Sequence, residues 1–84
     1  MLNKNIELAE PIAREEAVCH LAVDELKHRC RTFERRYHIS SSRFSKAFEK
    51  GTLGDEEAFF EWKALLEGIA SWSRIKRSLK KLHH

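Results

Sequence analysis

The sequence is poor in residues that bend or cross-link a chain, with one proline, three glycines and two cysteines among its 84 residues. Proline and glycine both destabilise helix interiors, so their low frequency favours long uninterrupted helices. Residues with β-branched side chains are also few, and they never alternate with polar residues as in a half-buried strand. We therefore predict an all-α fold in a single domain, since a chain of this length is enough for one domain and no more.

No segment reaches the roughly 20 apolar residues that a membrane-spanning helix needs. The N-terminal residues also lack the basic and then apolar order of a secretory signal, so a cytoplasmic protein without membrane contact is expected. Cys19 and Cys30 fit that compartment. On one helix they would be about 16 Å apart, too far for a disulfide within the chain. We expect buried free thiols, with an intersubunit bridge or a redox role as the alternative.

Motifs that carry catalysis or bind cofactors are also missing. There is no Gly-rich phosphate loop, nucleophile elbow or Cys-x-x-Cys pair, and a helical hairpin has no deep cleft in which pKa values are tuned. We therefore predict no enzymatic activity, no cofactor and no metal. A row of His and acidic residues does recur at every fourth position, a spacing that can hold a metal, but such exposed rows more often only stabilise a helix surface. The row consists of Glu16, His20, Asp24 and His28.

What the sequence does contain is helical periodicity. We predict two long antiparallel helices at about 11–37 and 56–81, with a short helix at about 42–50 at the bend between them. Residues 1–9 and 83–84 are expected to fray.

Residues suited to helix ends mark these boundaries. Pro11 suits the first turn of the first helix, and a run of serines at 40–42 offers an N-cap for the second. Gly51 is placed to close the second helix in the left-handed conformation. Asp55 is the expected cap of the third.

The first long helix carries an apolar stripe that predicts self-association. At some 27 residues the helix is roughly 40 Å long, and a stripe of that length needs an antiparallel neighbour, a second copy or both. We predict that it supports a homodimer as well as the hairpin. The oligomerisation stripe consists of Ile12, Cys19, Val23, Leu26, Cys30 and Phe33.

The third helix has its own apolar stripe, and the aromatic residues at its start do not all fit on it. The predicted stripe is Ala58, Trp62, Leu65, Ile69, Trp72, Ile75, Leu79 and Leu82. Phe59, Phe60 and Leu66 fall outside it, and Gly68 inside it indicates a bend or a close helix contact.

Phe59, Phe60 and Trp62 point in directions about 100° apart from one residue to the next. Even if the short helix covers one side with its own phenylalanines, we expect one large ring to remain exposed, and exposed aromatics rimmed by charge mark protein interfaces. The candidate partner-binding residues are Phe44, Phe48, Leu53, Asp55, Phe59, Phe60 and Trp62.

Charge is distributed unevenly along the chain, whose net charge is +3. Five cations and no anion follow Gly68, and Arg74, Arg77 and Lys81 share one helix face as a possible nucleic-acid contact. A second arginine group late in the first helix would lie at the opposite end of a hairpin. A DNA-reading helix–turn–helix is disfavoured, because the third helix begins with carboxylates that would face phosphates.

The central block resembles a known group of proteins. Gly51-Thr52-Leu53-Gly54-Asp55, followed by Phe59-Phe60-Glu61-Trp62, is similar to a pattern in short prokaryotic antitoxin-like proteins of toxin–antitoxin pairs. The resemblance covers about residues 30–68. It implies a protein that binds and neutralises a cognate small toxin encoded beside it. A nucleic-acid-binding adaptor using the basic C-terminal helix and a structural homo-oligomer are the alternatives.

Overall fold

The computed structural model describes the backbone of residues 4–83 and the side chains of residues 10–82. Within these residues the chain forms three helices and no strand: α1 is Lys4–Tyr37, α2 is Ser41–Lys50 and α3 is Glu57–His83. The predicted all-α hairpin with a short helix at its bend is confirmed. None of the described helices has the length and apolar character needed to cross a membrane.

The start of α1 differs from the prediction. The helix begins at Lys4, seven residues before the predicted start, so that Pro11 lies inside it. The residues ahead of the proline include Glu7, Leu8 and Ala9, which all favour helix, and proline itself has a helical φ although it removes one hydrogen bond. The predicted fraying of residues 1–9 stays a prediction; residues 1–3 and 84 lie outside the described residues.

The end of α1 is a Schellman-type cap built on a histidine. His38 has a φ of 54°, in the left-handed region. The amide of Ile39 donates to the carbonyl oxygen of Glu34 at 3.3 Å, and the Ile39 side chain packs against the core. This is the bonding pattern for which glycine is the usual residue, so the position is strained in this sequence.

Both ends of α2 have the caps that the sequence predicts. Ser40 accepts a hydrogen bond on its Oγ from the amide of Arg43 at 3.1 Å, which satisfies one free amide of the first turn. Gly51 ends the helix with a φ of 70°, in the left-handed conformation that a glycine adopts without steric cost. α3 then begins one residue later than predicted, so Glu56 rather than Asp55 immediately precedes it.

Helices α1 and α3 pack antiparallel along a rod of 61 × 21 × 17 Å. Phe33 stacks on Trp62 near the bend. Further along, a Cβ at Gly68 would lie 3.1 Å from Cδ1 of Leu26, which confirms a close helix contact there. At the far end Lys76 Nζ lies 3.2 Å from Nδ1 of His20.

The core lies along this seam and is largest at the bend. The buried apolar residues are Cys19, Val23, Cys30, Phe44, Phe59 and Trp62. The stripe predicted for α3 is therefore partly wrong, because Phe59 is buried and Leu66 packs on the core, whereas Ile75 and Leu82 are exposed. Two overlapping stripes fit a 3.6-residue period on α3, and the position of α2 beside Phe59 selects the one that is buried.

Candidate protein-binding site at the bend

Trp62 is the centre of an aromatic core that joins all three helices. Its side chain has no solvent exposure. The ring of Phe44 lies parallel to it with centroids 3.9 Å apart, and Phe33 stacks on it at 5.6 Å. Burial of rings of this size contributes about 1.5–3 kcal/mol each, so this stack fixes the position of α2 against the hairpin.

The indole N–H of Trp62 finds its hydrogen-bond acceptor at the start of α2. Nε1 donates to Oγ of Ser41 at 2.9 Å, and the amide of Ser41 donates to Oε2 of Glu34 on α1 at 2.7 Å. The Ser41 hydroxyl also forms a hydrogen bond with the Cys30 thiol. Burial raises the pKa of that thiol, and the hydrogen bond with Ser41 lowers it by less, so the net shift is upward. Ser41 and Glu34 were not among the predicted site residues, although a buried indole requires an acceptor.

A second hydrogen bond fastens the loop before α3. The hydroxyl of Tyr37 donates to Oε2 of Glu56 at 3.1 Å, and its ring lies 5.1 Å from that of Phe59. Partial burial of the Tyr37 ring is the main cause that raises the pKa of the phenol, and this hydrogen bond raises it further. The bend is thus held both by ring packing and by polar contacts.

Phe60 stands on this core but remains outside it. All eight aromatic residues of the chain are described, and Phe60 is the only exposed one, at 54%. Its ring contacts Phe48 edge-on with centroids 5.6 Å apart. The expectation that one large ring remains exposed is confirmed.

Charged groups surround this exposed ring. Nζ of Lys63 lies 5.8 Å from the centroid of Phe48 and 3.6 Å from Oε1 of Glu49. Glu57 is exposed at the start of α3, one turn before Phe60. An aromatic centre with a charged rim is the usual composition of a protein interface.

The structure separates the predicted partner-binding residues into two groups. Phe44, Phe59 and Trp62 are buried in the core and support the site from beneath. Phe60 and Asp55 are exposed, and Phe48 and Leu53 are half-buried; the Phe48 ring contacts that of Phe60, and Leu53 packs against the core. We call the accessible set of Phe48, Leu53, Asp55 and Phe60 the bend patch.

The predicted oligomerisation stripe is largely occupied within the hairpin. Cys19, Val23 and Cys30 are buried, and the other three members, Ile12, Leu26 and Phe33, are half-buried. Both cysteines are free, as expected. Helix α3 therefore takes up the surface that had been expected to serve a second copy as well.

The remaining candidates form no compact site. Arg74, Arg77 and Lys81 are exposed near the end of α3, far from the bend. Among the described residues no group of three or more His, Cys, Asp or Glu side chains is arranged to hold a metal ion. A shallow groove of about 520 Å³ between α1 and α3 has mixed walls, formed by Arg29, Thr32, Phe33, Glu61, Ala64 and Leu65.

No protein-family model, curated protein or solved structure matches this chain. The resemblance to antitoxin-like proteins stays a prediction. Among the surfaces that the described residues form, the bend patch combines an exposed aromatic ring with a packed aromatic support beneath it.

Proposed function

We propose that the chain is a protein-binding helical hairpin of the antitoxin type, which neutralises a small cognate toxin by covering its working surface with the bend patch. The observation that carries this proposal is the exposure of Phe60 above an otherwise enclosed aromatic core. Full burial of a phenylalanine side chain stabilises by about 1.5–3 kcal/mol. Because about half of Phe60 is still in water, a partner that covers the ring would recover about half of that free energy.

The support beneath Phe60 makes it a good anchor for a partner. The ring rests on Phe48, which is half-buried and contacts Phe44 at 5.7 Å between ring centroids. A side chain whose neighbours are already ordered loses little conformational entropy on binding, so more of the contact free energy appears as affinity. Aromatic anchors of this kind account for about 2 kcal/mol or more of binding free energy.

The charged rim would supply specificity. Asp55 and Glu57 are exposed five and three residues before Phe60, and Lys63 and Glu49 form an ion pair next to the Phe48 ring. The rim facing the start of α3 is therefore acidic, and it would select a partner with a basic surface. A toxin acting on RNA would carry such a surface, because phosphate binding requires Lys and Arg.

The test is co-expression with the product of the adjacent open reading frame. If that product slows growth, the wild-type chain should restore growth and co-purify with it, and Phe60→Glu should lose both effects. Ala70→Glu is the matched control, because it adds the same charge at an exposed position of α3 outside the bend patch. Equal rescue by the wild type and Phe60→Glu, or no co-purification of the wild type, would refute the proposal.

A second candidate function is supported by the cationic end of α3. Arg74, Arg77 and Lys81 are exposed, and no anion follows Glu67 in the sequence. If these three residues contact nucleic acid, the logarithm of the binding constant should fall linearly with the logarithm of the salt concentration. The expected slope is about −2 to −3. A mobility shift at low salt that Arg77→Ala weakens would favour it, and no shift would dismiss it.

A further inference from the structure

The arginines late in α1 are divided between two sides of the helix. Arg29 lines the groove of about 520 Å³ between α1 and α3, and its guanidinium pairs with Glu25 at 3.1 Å. Arg31 instead lines two smaller cavities on the other side of α1, of about 380 and 220 Å³. The two arginines, although close in sequence, therefore belong to different surfaces of the hairpin.

Two further cations extend the surface of Arg31 along α1. Arg35 lines the larger of the two cavities and Lys27 lines the smaller, so the three cations recur at every fourth residue, about 6 Å apart along the helix axis. All three are exposed. Their side chains form no hydrogen bond or ion pair with any residue that the structure describes. This row therefore carries positive charge that no ion pair within the hairpin neutralises.

Glu34 is the one anion among the described residues that line these two cavities, and it is already engaged. Its Oε2 accepts a hydrogen bond from the amide of Ser41 at 2.7 Å, and the residue is half-buried. That amide and the positive end of the α2 dipole compensate the carboxylate. The cavity walls therefore keep a net positive charge.

Helix α2 adds three cations on the same side of the hairpin. The start of α2 lies in the wall of the smaller cavity, and Phe44 points inward onto Trp62. The three cations are exposed and lie about 100° or more around the helix from Phe44, so they face away from the hairpin. We call the three cations of α2 and the three of α1 the basic face: Lys27, Arg31, Arg35, Arg43, Lys46 and Lys50.

The basic face has a high density of charge and no apolar centre. Between Lys27 and Lys50 the sequence holds eight cations and two anions, and one of those anions, Glu49, pairs with Lys63 at 3.6 Å. The large apolar residues that the described part of the chain leaves exposed all lie outside this segment. Protein interfaces have an apolar or aromatic core, and a helix that lies on a membrane buries an apolar side in it. The basic face therefore suits a partner that is bound through its charge.

A nucleic-acid duplex has the matching chemistry. Its phosphates carry one negative charge per 1.7 Å or so of axis, and arginine and lysine side chains are common donors to phosphate oxygens. From Lys27 to Arg35 the row on α1 is about 12 Å long, a length along which a duplex presents about seven phosphates. Single strands are bound with the help of aromatic rings that stack on the bases, and residues 27–50 include no exposed ring.

We propose that the basic face binds the phosphate backbone of a nucleic-acid duplex without reading its sequence. Contacts from cationic side chains to phosphates position a protein on the duplex but carry no sequence information. The basic face contains no residue of the bend patch and no cation of α3. This inference is therefore independent of toxin binding and of the nucleic-acid contact considered for the end of α3.

Fluorescence anisotropy of the purified full chain with a labelled duplex of mixed sequence tests the proposal, and DNA and RNA duplexes are measured separately. We expect at least one of them to bind in the micromolar range at low salt. The logarithm of the binding constant should fall linearly with the logarithm of the salt concentration. Three to six phosphate contacts give a slope of about −3 to −5.

The arginines of α1 offer a matched pair of double variants. Arg31→Ala combined with Arg35→Ala should lower the binding constant about tenfold and reduce the magnitude of the salt slope by about 2. Arg14→Ala combined with Arg29→Ala is the control, because it removes the same charge from the same helix at exposed arginines that pair with glutamates. The control should change the binding constant by less than about threefold. Circular dichroism of both variants verifies that the helices are retained.

Each of the following results would overturn the proposal. The wild-type chain could fail to bind either duplex at low salt, or bind with an affinity that does not depend on salt. The control could weaken binding as much as the basic-face variant does. Arg74→Ala combined with Arg77→Ala could abolish binding that the basic-face variant retains, which would assign the contact to the end of α3.

Competition experiments separate a duplex from other anions. Polyglutamate and vesicles of phosphatidylserine, at equal concentration of negative charge, should displace the duplex at least tenfold less effectively than an unlabelled duplex does. Equal displacement by either would show a general attraction to anions and would overturn the assignment to nucleic acid.

Discussion

The indole N–H of Trp62 and the hydroxyl of Ser41, 21 residues apart in sequence, are joined by a hydrogen bond of 2.9 Å. Trp62 is wholly enclosed, so this contact satisfies the only polar atom of its side chain. The bond also attaches the start of α2 to the second turn of α3, and the Ser41 amide extends the connection to Glu34 on α1. Three helices are thus connected through one small side chain.

Substitution of that serine should destabilise the fold. Ser41→Ala leaves a buried N–H without an acceptor, so we expect the free energy of unfolding to fall by about 1–3 kcal/mol in urea denaturation. Ser42→Ala, one position on and exposed, is the control and should change it by less than about 0.5 kcal/mol. Equal effects of the two substitutions would show that the hydrogen bond contributes nothing specific.

The left-handed conformation of His38 predicts a stabilising substitution. With a φ of 54°, the residue has the conformation that glycine adopts freely, so His38→Gly should raise the free energy of unfolding by about 0.5–1 kcal/mol. His28→Gly, at an exposed position within α1, should instead lower it by about 0.3–0.5 kcal/mol, the difference between the helix propensities of histidine and glycine. Thermal denaturation of both variants measures whether each one gains or loses stability. A destabilised His38→Gly variant would argue against a left-handed cap at this position.

The contact between Gly68 and Leu26 predicts a coupled pair. Because a Cβ at Gly68 would lie 3.1 Å from the tip of Leu26, Gly68→Leu should separate the helices and destabilise the chain by about 1–3 kcal/mol. In a Leu26→Ala background that penalty should shrink by about 0.5 kcal/mol or more, since the space is then free. A double-mutant cycle measures the difference, and strict additivity would argue against the contact.

Two raised pKa values give the fold an alkaline limit. Burial raises the pKa of the Cys30 thiol, and partial burial and Glu56 raise that of Tyr37. Both groups bind their protons more tightly in the folded chain, so their stabilising effect is complete below the unfolded pKa values of about 8.5 and 10. It is lost as the pH rises through the higher folded values.

Denaturation at a series of pH values from neutral to strongly alkaline should therefore show stability falling above about pH 8.5. The combined Cys30→Ala and Tyr37→Phe variant, although less stable at neutral pH, should have a flatter profile in that range. An unchanged slope would assign the alkaline loss to other groups.

Much of the fold follows from local chemistry. The serines before α2 and Gly51 after it gave correct helix ends, because capping depends on residues adjacent in sequence. The burial of Phe59, which the predicted α3 stripe left out, depends on a distant element. Phe44 of α2 lies against it, with ring centroids 5.9 Å apart, and no residue near Phe59 in sequence indicates that contact. The start of α1 was missed because Pro11 was interpreted as a beginning rather than as a tolerated interruption.

The candidate site was also only partly predictable from the sequence. Crowding of three large rings within one turn indicated that a ring would remain exposed, and periodicity could not decide between Phe59 and Phe60. The exposure of Ile75 and Leu82 was not predicted either, because both residues had been placed on the buried stripe. Which of two adjacent stripes is covered depends on how the helices rotate about their axes, and that rotation is fixed by the packing of side chains from all three helices.

The most direct test of the central claim, that the bend patch binds a protein partner, is an NMR titration of the labelled chain with the product of the adjacent open reading frame. The resonances of Phe48, Leu53 and Phe60 should shift or broaden on addition of the partner, while those of Leu21 and Ile75 stay in place. Perturbations confined to Leu21, Ile75 and other residues remote from the bend, or no perturbation at saturating partner, would refute binding by the bend patch.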